Sequence, residues 1–282
     1  MSEHRGSTSG PAKFCSAVAA VWLSCGTASA QTPEQPLTTT EFNSTRPTPR
    51  IEYWQKRLAE IEARMAAPEG LGAFKLVFLG DSITDFWTMG ENPWFPGAVG
   101  GQSVWAESFS GVTPETRGFN LGISGDRTEH VLHRIRSRSE GGLGQLDRPD
   151  LDPEVIVLMI GINNSWDAES PAVDSVTAGI RAVVAAVRAR KPEARIVLQS
   201  LLPTNEPARN RDLVQPVNRG LESYVMDPSL GGMVGYLDLY PAFVDAEGRQ
   251  KSDLFMDGVH PNAAGYRAWR DRLLPYLAAN RP

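Results

Sequence analysis

Five short apolar runs, Lys75–Leu79, Gly118–Leu121, Val155–Ile160, Arg195–Leu201 and Val234–Leu239, alternate with stretches of helical periodicity. That alternation restricts the chain more than any other feature. The third run, "VIVLMI", has no polar member, as expected of a strand covered on both faces. Strands alternating with helices predict one five-stranded parallel sheet between helical layers, an α/β architecture. One helix is expected from Ile51 to Met65, with Ile51, Trp54, Leu58, Ile61 and Met65 on its apolar face. Others are expected after Asp126, with Glu129 completing a capping box, and from Ser170-Pro171 to Arg190. A last helix spans about Ala263–Ala279, interrupted by Pro275. In such sheets ligands bind beyond the carboxyl ends of the strands, so the residues after each run are the ones that matter.

The first thirty residues follow another logic. Arg5 and Lys13 precede an apolar stretch, Phe14–Leu23, too short to span a bilayer, and Ala28-Ser29-Ala30 offers a small-residue cleavage site. Residues 1–30 are therefore read as a signal peptide cut after Ala30, which makes the protein secreted or periplasmic; a lipid anchor on Cys25 is the weaker reading. Cys15 and Cys25, the only two cysteines, leave with it. The mature chain then has no disulfide, thiolate nucleophile or cysteine-held zinc. Gln31–Arg50, rich in Thr and Pro, reads as a linker, and the folded domain is expected over residues 51–282. The formal charge of −5 and the lack of a basic run argue against nucleic acid as a partner. No later segment is long and apolar enough for a membrane-spanning helix.

The strand ends carry Gly80-Asp81-Ser82, then Gly122-Ile123-Ser124-Gly125-Asp126, then Gly161-Ile162-Asn163-Asn164. After the fifth strand and a long loop comes Asp257-Gly258-Val259-His260-Pro261-Asn262. Each piece has a bland reading: Ser82 as a helix cap, Asn163-Asn164 as a turn, Asp257 and His260 as a structural pair. Together they supply what acyl transfer needs. A serine hydroxyl attacks when a base takes its proton, a neutral imidazole does so near neutral pH, and a carboxylate orients that imidazole. The developing oxyanion needs donors, and the N–H groups of Ser82 and Gly122 with the Asn163 amide are the candidates.

In these blocks the sequence resembles the SGNH, or GDSL, hydrolase superfamily: "GDSIT" looks like its first block, "NLGISGD" its second, "GINN" its third and "DGVHPN" its fifth. The likeness runs from about Lys75 to Leu277. "FNLGISGDRTEHVLHRI", "VIVLMIGINN" and "IVLQSLLP" look closest to members of the platelet-activating-factor acetylhydrolase type. That resemblance implies a flavodoxin-like three-layer α/β/α sandwich and hydrolysis of short acyl esters without a cofactor. It implies Ser82 as nucleophile, His260 as base, Asp257 as its orienter, and Ser82, Gly122 and Asn163 as the oxyanion hole.

The segment Met89–Thr113 is aromatic and punctuated by Gly and Pro, as pocket-lining loops often are. Asp81, Trp87, Trp94, Asn164 and Trp166 complete the candidate substrate-binding set, with Phe95 beside them; Arg209 and Arg211 lie in a second variable loop. A secreted enzyme of this chemistry meets acetylated glycans, so the expected partner is a small-molecule or glycan acyl ester and the expected activity a carbohydrate O-acetylesterase. A broad arylesterase or lysophospholipase-like enzyme is the alternative. Two other classes compete. A metal-dependent phosphoesterase would use Asp81, Asp85, Asn163 and His260, but His130, His133 and His260 form no paired ligand motif. A non-catalytic glycan-binding module would not need the full set of Ser, Gly, Asn, Asp and His.

Overall fold

A computed structural model describes residues 41–50 and 53–280. The expected signal peptide and residues 31–40, 51 and 52 lie outside this range. The strands β1 (Leu76–Gly80), β2 (Gly118–Asn120), β3 (Val155–Met159), β4 (Arg195–Gln199) and β5 (Val234–Leu237) form one parallel sheet in the order β2-β1-β3-β4-β5. β1 and β3 are buried along their whole length, which is why their sequences show no polar alternation. The second and fifth strands end earlier than their apolar runs, because Leu121 and Leu239 continue into the core as loop residues.

The helices are α1 (Tyr53–Met65), α2 (Ser82–Asp85), α3 (Gln102–Ser108), α4 (Thr128–Ile135), α5 (Ala172–Arg190), the short α6 (Pro207–Arg209), α7 (Gln215–Val225) and α8 (Ala263–Ala279). The chain leaves β1 toward β2 and then turns back past β1 to β3. Right-handed crossovers therefore place α3 on one face and α4, α5 and α7 on the other. α8 packs beside α3, and α5 contacts both α4 and α7. This is the three-layer sandwich expected from the alternation. α1 lies at the β2 edge, with Trp54, Ile61 and Met65 buried and the Trp54 ring 6.5 Å from that of His133. Pro275 is accommodated inside α8.

Two local expectations are corrected. The described part of the supposed linker packs on the domain: Phe42 and Ser44 are buried, and Ser44 O accepts from Thr128 Oγ1 at 2.7 Å while its hydroxyl donates to Ser175 O at 2.7 Å. Asp126 does not cap α4. It is fully buried, its carboxylate pairs with Arg134 at 2.8 Å, and the cap is made by Arg127 with His130, whose Nδ1 accepts from Arg127 N at 2.9 Å.

Candidate active site

The strand order reverses between β1 and β3, and the carboxyl ends of β1, β2 and β3 converge there. At the end of β1 the chain folds back tightly. A Cβ at Gly80 would stand 2.2 Å from Met159 O and from Thr84 Oγ1, so only glycine lets α2 start this close to β3. The cap of α2 is Asp81, whose Oδ1 accepts from Ile83 N at 3.0 Å. Ser82 is the first residue inside the helix and is not its cap. Its N–H therefore has no intrahelical acceptor, and its hydroxyl is left for other partners.

That hydroxyl meets the loop before α8. His260 Nε2 is 2.8 Å from Ser82 Oγ, and His260 Nδ1 is 2.8 Å from Asp257 Oδ2. The other carboxylate oxygen, Asp257 Oδ1, accepts from Val259 N at 2.7 Å and His260 N at 2.6 Å. The three-residue spacing thus lets one turn hold the carboxylate against both the ring and the backbone of the histidine. Burial works to raise the Asp257 pKa, but the ring and backbone donors of His260 and the Val259 N–H outweigh it, and the carboxyl stays below its ordinary value. Asn262 closes the loop by capping α8, accepting from Ala264 N and Gly265 N. Tyr266 reaches back from α8 to donate to Ile83 O at 2.8 Å, tying the histidine loop's helix to that of the serine.

A cavity of about 330 Å³ opens above these groups, lined by Ser82, Phe86, Trp94, Phe95, Ser124, Gly125, Asn163 and His260. Phe86 packs on the imidazole with ring centroids 5.0 Å apart, and Trp94 stacks on Phe86 at 5.9 Å. Asn163 spends one amide hydrogen on Asp126 O at 2.8 Å. An amide carries two, so the second is available to the cavity.

The structure separates the remaining expected residues. Gly122 does not line the cavity. Its N–H is taken by Asn120 Oδ1 at 2.8 Å, and a Cβ there would lie 2.3 Å from Asp85 N, so it is packed against the backbone of α2. Gly125, three residues on, takes the cavity position, with φ +78 and an N–H donated to no backbone acceptor among the described residues. The sequence signal was present: of the two glycines in "NLGISGD", Gly125 occupies the left-handed turn that favours glycine. Phe86 and Ser124 are further lining residues that the sequence reading did not single out.

Three candidates for substrate contact are buried instead. Trp87 is wholly inside the core, with ring centroids 4.6 Å from Tyr266 and 5.0 Å from Trp269. Asn164 is spent on α4: its Oδ1 accepts from Thr128 N at 3.0 Å and its Nδ2 donates to Glu129 Oε2 at 2.8 Å. Asp81 is 1% exposed, and its Oδ2 has no hydrogen-bond partner among the described residues. Burial lifts its pKa from 3.8 to about 7. Trp94 and Trp166 are half-exposed, and Arg209 lies over the Trp166 ring, 4.3 Å from its centroid, while donating to Ser165 O at 2.8 Å. Arg211 pairs with its neighbour Asp212 at the surface. The set weighed for metal binding does not converge, because Asp85 is turned to Arg57 and Ser124. Among the described residues no group of three His, Cys, Asp or Glu is placed to hold a metal ion. None of the described helices is long and apolar enough to cross a membrane.

The profile of the GDSL-like lipase/acylhydrolase family matches residues 78–268, from β1 into α8. The chain belongs to this family. As a GDSL hydrolase it is an ester hydrolase of the SGNH superfamily. It is 30% identical over 216 residues to platelet-activating factor acetylhydrolase IB subunit alpha1 of Rattus norvegicus, covering 73% of this chain and 78% of that protein. The human subunit is 30% identical over 214 residues with the same coverage. Among solved structures, a GDSL-like lipase from Bacteroides thetaiotaomicron superposes with a TM-score of 0.56 at 20% identity, over 80% of this chain and 98% of that one. A catalytic mutant of an acetylxylan esterase from Geobacillus stearothermophilus does so with a TM-score of 0.50 at 23% identity, over 72% and 93%. These two likenesses concern the fold.

Proposed function

We propose that this GDSL hydrolase is a serine esterase that removes short acyl groups, acetyl above all, from carbohydrate hydroxyls outside the cytoplasm. The observation that carries the reading is the continuous hydrogen-bonded chain from Ser82 through His260 to Asp257, two contacts of 2.8 Å each, at the floor of the cavity. His260 Nε2 takes the hydroxyl proton as Ser82 Oγ bonds to the ester carbonyl carbon. Asp257 holds the ring in the tautomer that leaves Nε2 free and stabilises the imidazolium that forms. The tetrahedral oxyanion is met by the N–H groups of Ser82 and Gly125 and by Asn163 Nδ2. The imidazolium then protonates the departing alcohol. Water, deprotonated by the same nitrogen, releases the acyl group from Ser82.

The acetyl preference rests on the relatives, whose activity is named for acetyl removal. The glycan preference rests on two half-exposed indoles, Trp94 at the cavity and Trp166 three residues beyond Asn163, and on the signal-peptide-like pattern of residues 1–30. The apolar wall of Phe86, Trp94 and Phe95 favours a second reading, in which aryl esters are taken as readily as sugars.

The test compares initial rates of wild type and Ser82→Ala on 4-nitrophenyl acetate, butyrate and octanoate, and acetate release from acetylated xylan. The expected result is Ser82-dependent hydrolysis that falls with chain length, with acetate released from the polysaccharide. Equal rates for Ser82→Ala and wild type would end the serine reading. Rapid aryl-ester turnover with no acetate release from glycan would favour the second.

A further inference from the structure

The loop from Gly122 to Asp126, which carries Gly125 into the cavity, is held from outside the family core. Arg57 of α1 places Nε 2.8 Å from Asp85 Oδ1 and donates to Gly122 O at 3.3 Å. Asp85 Oδ2 in turn accepts from Ser124 N at 3.1 Å and Ser124 Oγ at 2.8 Å. Arg50 donates from Nη1 to Ser124 O at 3.0 Å and to Asp126 Oδ1 at 3.3 Å. Its guanidinium also covers the outer side of Gly125, where a Cβ would stand 2.8 Å from Arg50 Nη2. Both carboxylates are buried, at 6% and 0% exposure; Arg57 is the cation against Asp85, whereas Asp126 is also paired with Arg134, so Arg50 bears on the loop through Ser124 O and the outer side of Gly125. Arg50 and Arg57 precede residue 78, where the family match begins.

We infer that Arg50 and Arg57 are positioning residues for the reaction: the segment before the sheet fixes the Gly125 amide where the oxyanion forms. The inference rests on the serine-esterase reading above. An oxyanion donor acts only while it stays aimed at the developing charge, and a displacement of about 1 Å in such a group costs on the order of 100-fold in rate. The ground-state ester leans on the cavity walls, which neither arginine lines. Their loss therefore reaches kcat and leaves KM nearly unchanged.

The experiment uses the full chain with Arg50→Gln and Arg57→Met, each checked for folding by circular dichroism and thermal melting. Steady-state hydrolysis of 4-nitrophenyl acetate is measured well below the melting temperature. The rate of inactivation by a 4-nitrophenyl alkylphosphonate, whose phosphoryl oxygen occupies the oxyanion position, is measured beside it. The expected result is a fall in kcat of about 10- to 100-fold, KM within about twofold of wild type, and a parallel fall in the inactivation rate. A purely structural role would lower the melting temperature and leave kcat of the folded protein at its wild-type value, which overturns the inference. If Arg57→Met does not fold, Arg50→Gln decides, since the Arg50 side chain is 26% exposed and sits outside α1. Wild type lacking Ser82-dependent hydrolysis would be a failure of the esterase reading. Wild-type kcat in folded variants of an active enzyme would be a failure of the positioning role alone.

Discussion

The substitution Asp81→Asn should remove a pH-dependent load from the fold. Asp81 is 1% exposed; its Oδ1 caps α2 through Ile83 N, and its Oδ2 is buried with no hydrogen-bond partner among the described residues. Burial raises its pKa from 3.8 to about 7, against the opposing pull of the Ile83 N–H and of His260. The native state thus keeps a proton that the unfolded state gives up near pH 4. Stability from this group is complete below that point and is lost as pH rises through about 7. A displacement from 3.8 to about 7 corresponds to at most ~4 kcal/mol at 1.36 kcal/mol per pH unit. The amide introduced by Asp81→Asn keeps an oxygen for the cap and carries no charge. Urea unfolding of both proteins from pH 4.5 to 8 isolates this contribution, because Asp85 and Asp126, also raised by burial, are common to both. The stability of the variant relative to wild type should rise by about 2–4 kcal/mol across that range, at unchanged m-value. Parallel pH curves would refute the reasoning, since they would mean that Asp81 is ionised without penalty or screened by water at Oδ2.

Asn163→Ala should lower kcat by roughly 10²–10³ with little change in KM, the usual cost of one oxyanion donor, in steady-state assays on 4-nitrophenyl acetate; a change confined to KM would make Asn163 a ground-state contact instead. Gly122→Ala should destabilise the protein by about 1–3 kcal/mol or more, because the added Cβ would lie 2.3 Å from Asp85 N, and thermal melting reads that loss directly. Trp166→Ala should raise KM for acetylated xylo-oligosaccharide several-fold while leaving KM for 4-nitrophenyl acetate within about twofold, since Trp166 lies outside the residues lining the cavity over Ser82.

What the sequence discloses and what it hides divide along a physical line. The buried strands are legible because a strand covered on both faces has to be apolar throughout, and β1 and β3 are. The convergence of Ser82, Asp257 and His260 is legible because the topology brings strand ends together and their sequence blocks resemble those of the SGNH superfamily. The choice between Gly122 and Gly125 is different. Both follow β2, and which of them lines the cavity with its N–H given to no backbone acceptor among the described residues depends on a partner read only in three dimensions, Asn120 Oδ1 on Gly122 N, and on the φ of +78 at Gly125. Trp87 misleads for a related reason. It stands close to Ser82 in sequence, but the 3-10 turn Phe86–Thr88 that follows α2 places its ring in a cluster with Tyr266 and Trp269. Asp126 resembles a cap in sequence because its partner Arg134 lies two turns further along α4. Arg50 and Arg57 lie in segments whose composition reads as linker and surface helix, and their reach to Ser124 and Gly122 crosses 74 and 65 residues of chain. Ser82, Asp257 and His260 stand out by residue type and order, whereas the contacts of Arg50 with Ser124 and of Arg57 with Gly122 join residue types common in any sequence and appear only once the partners are in place.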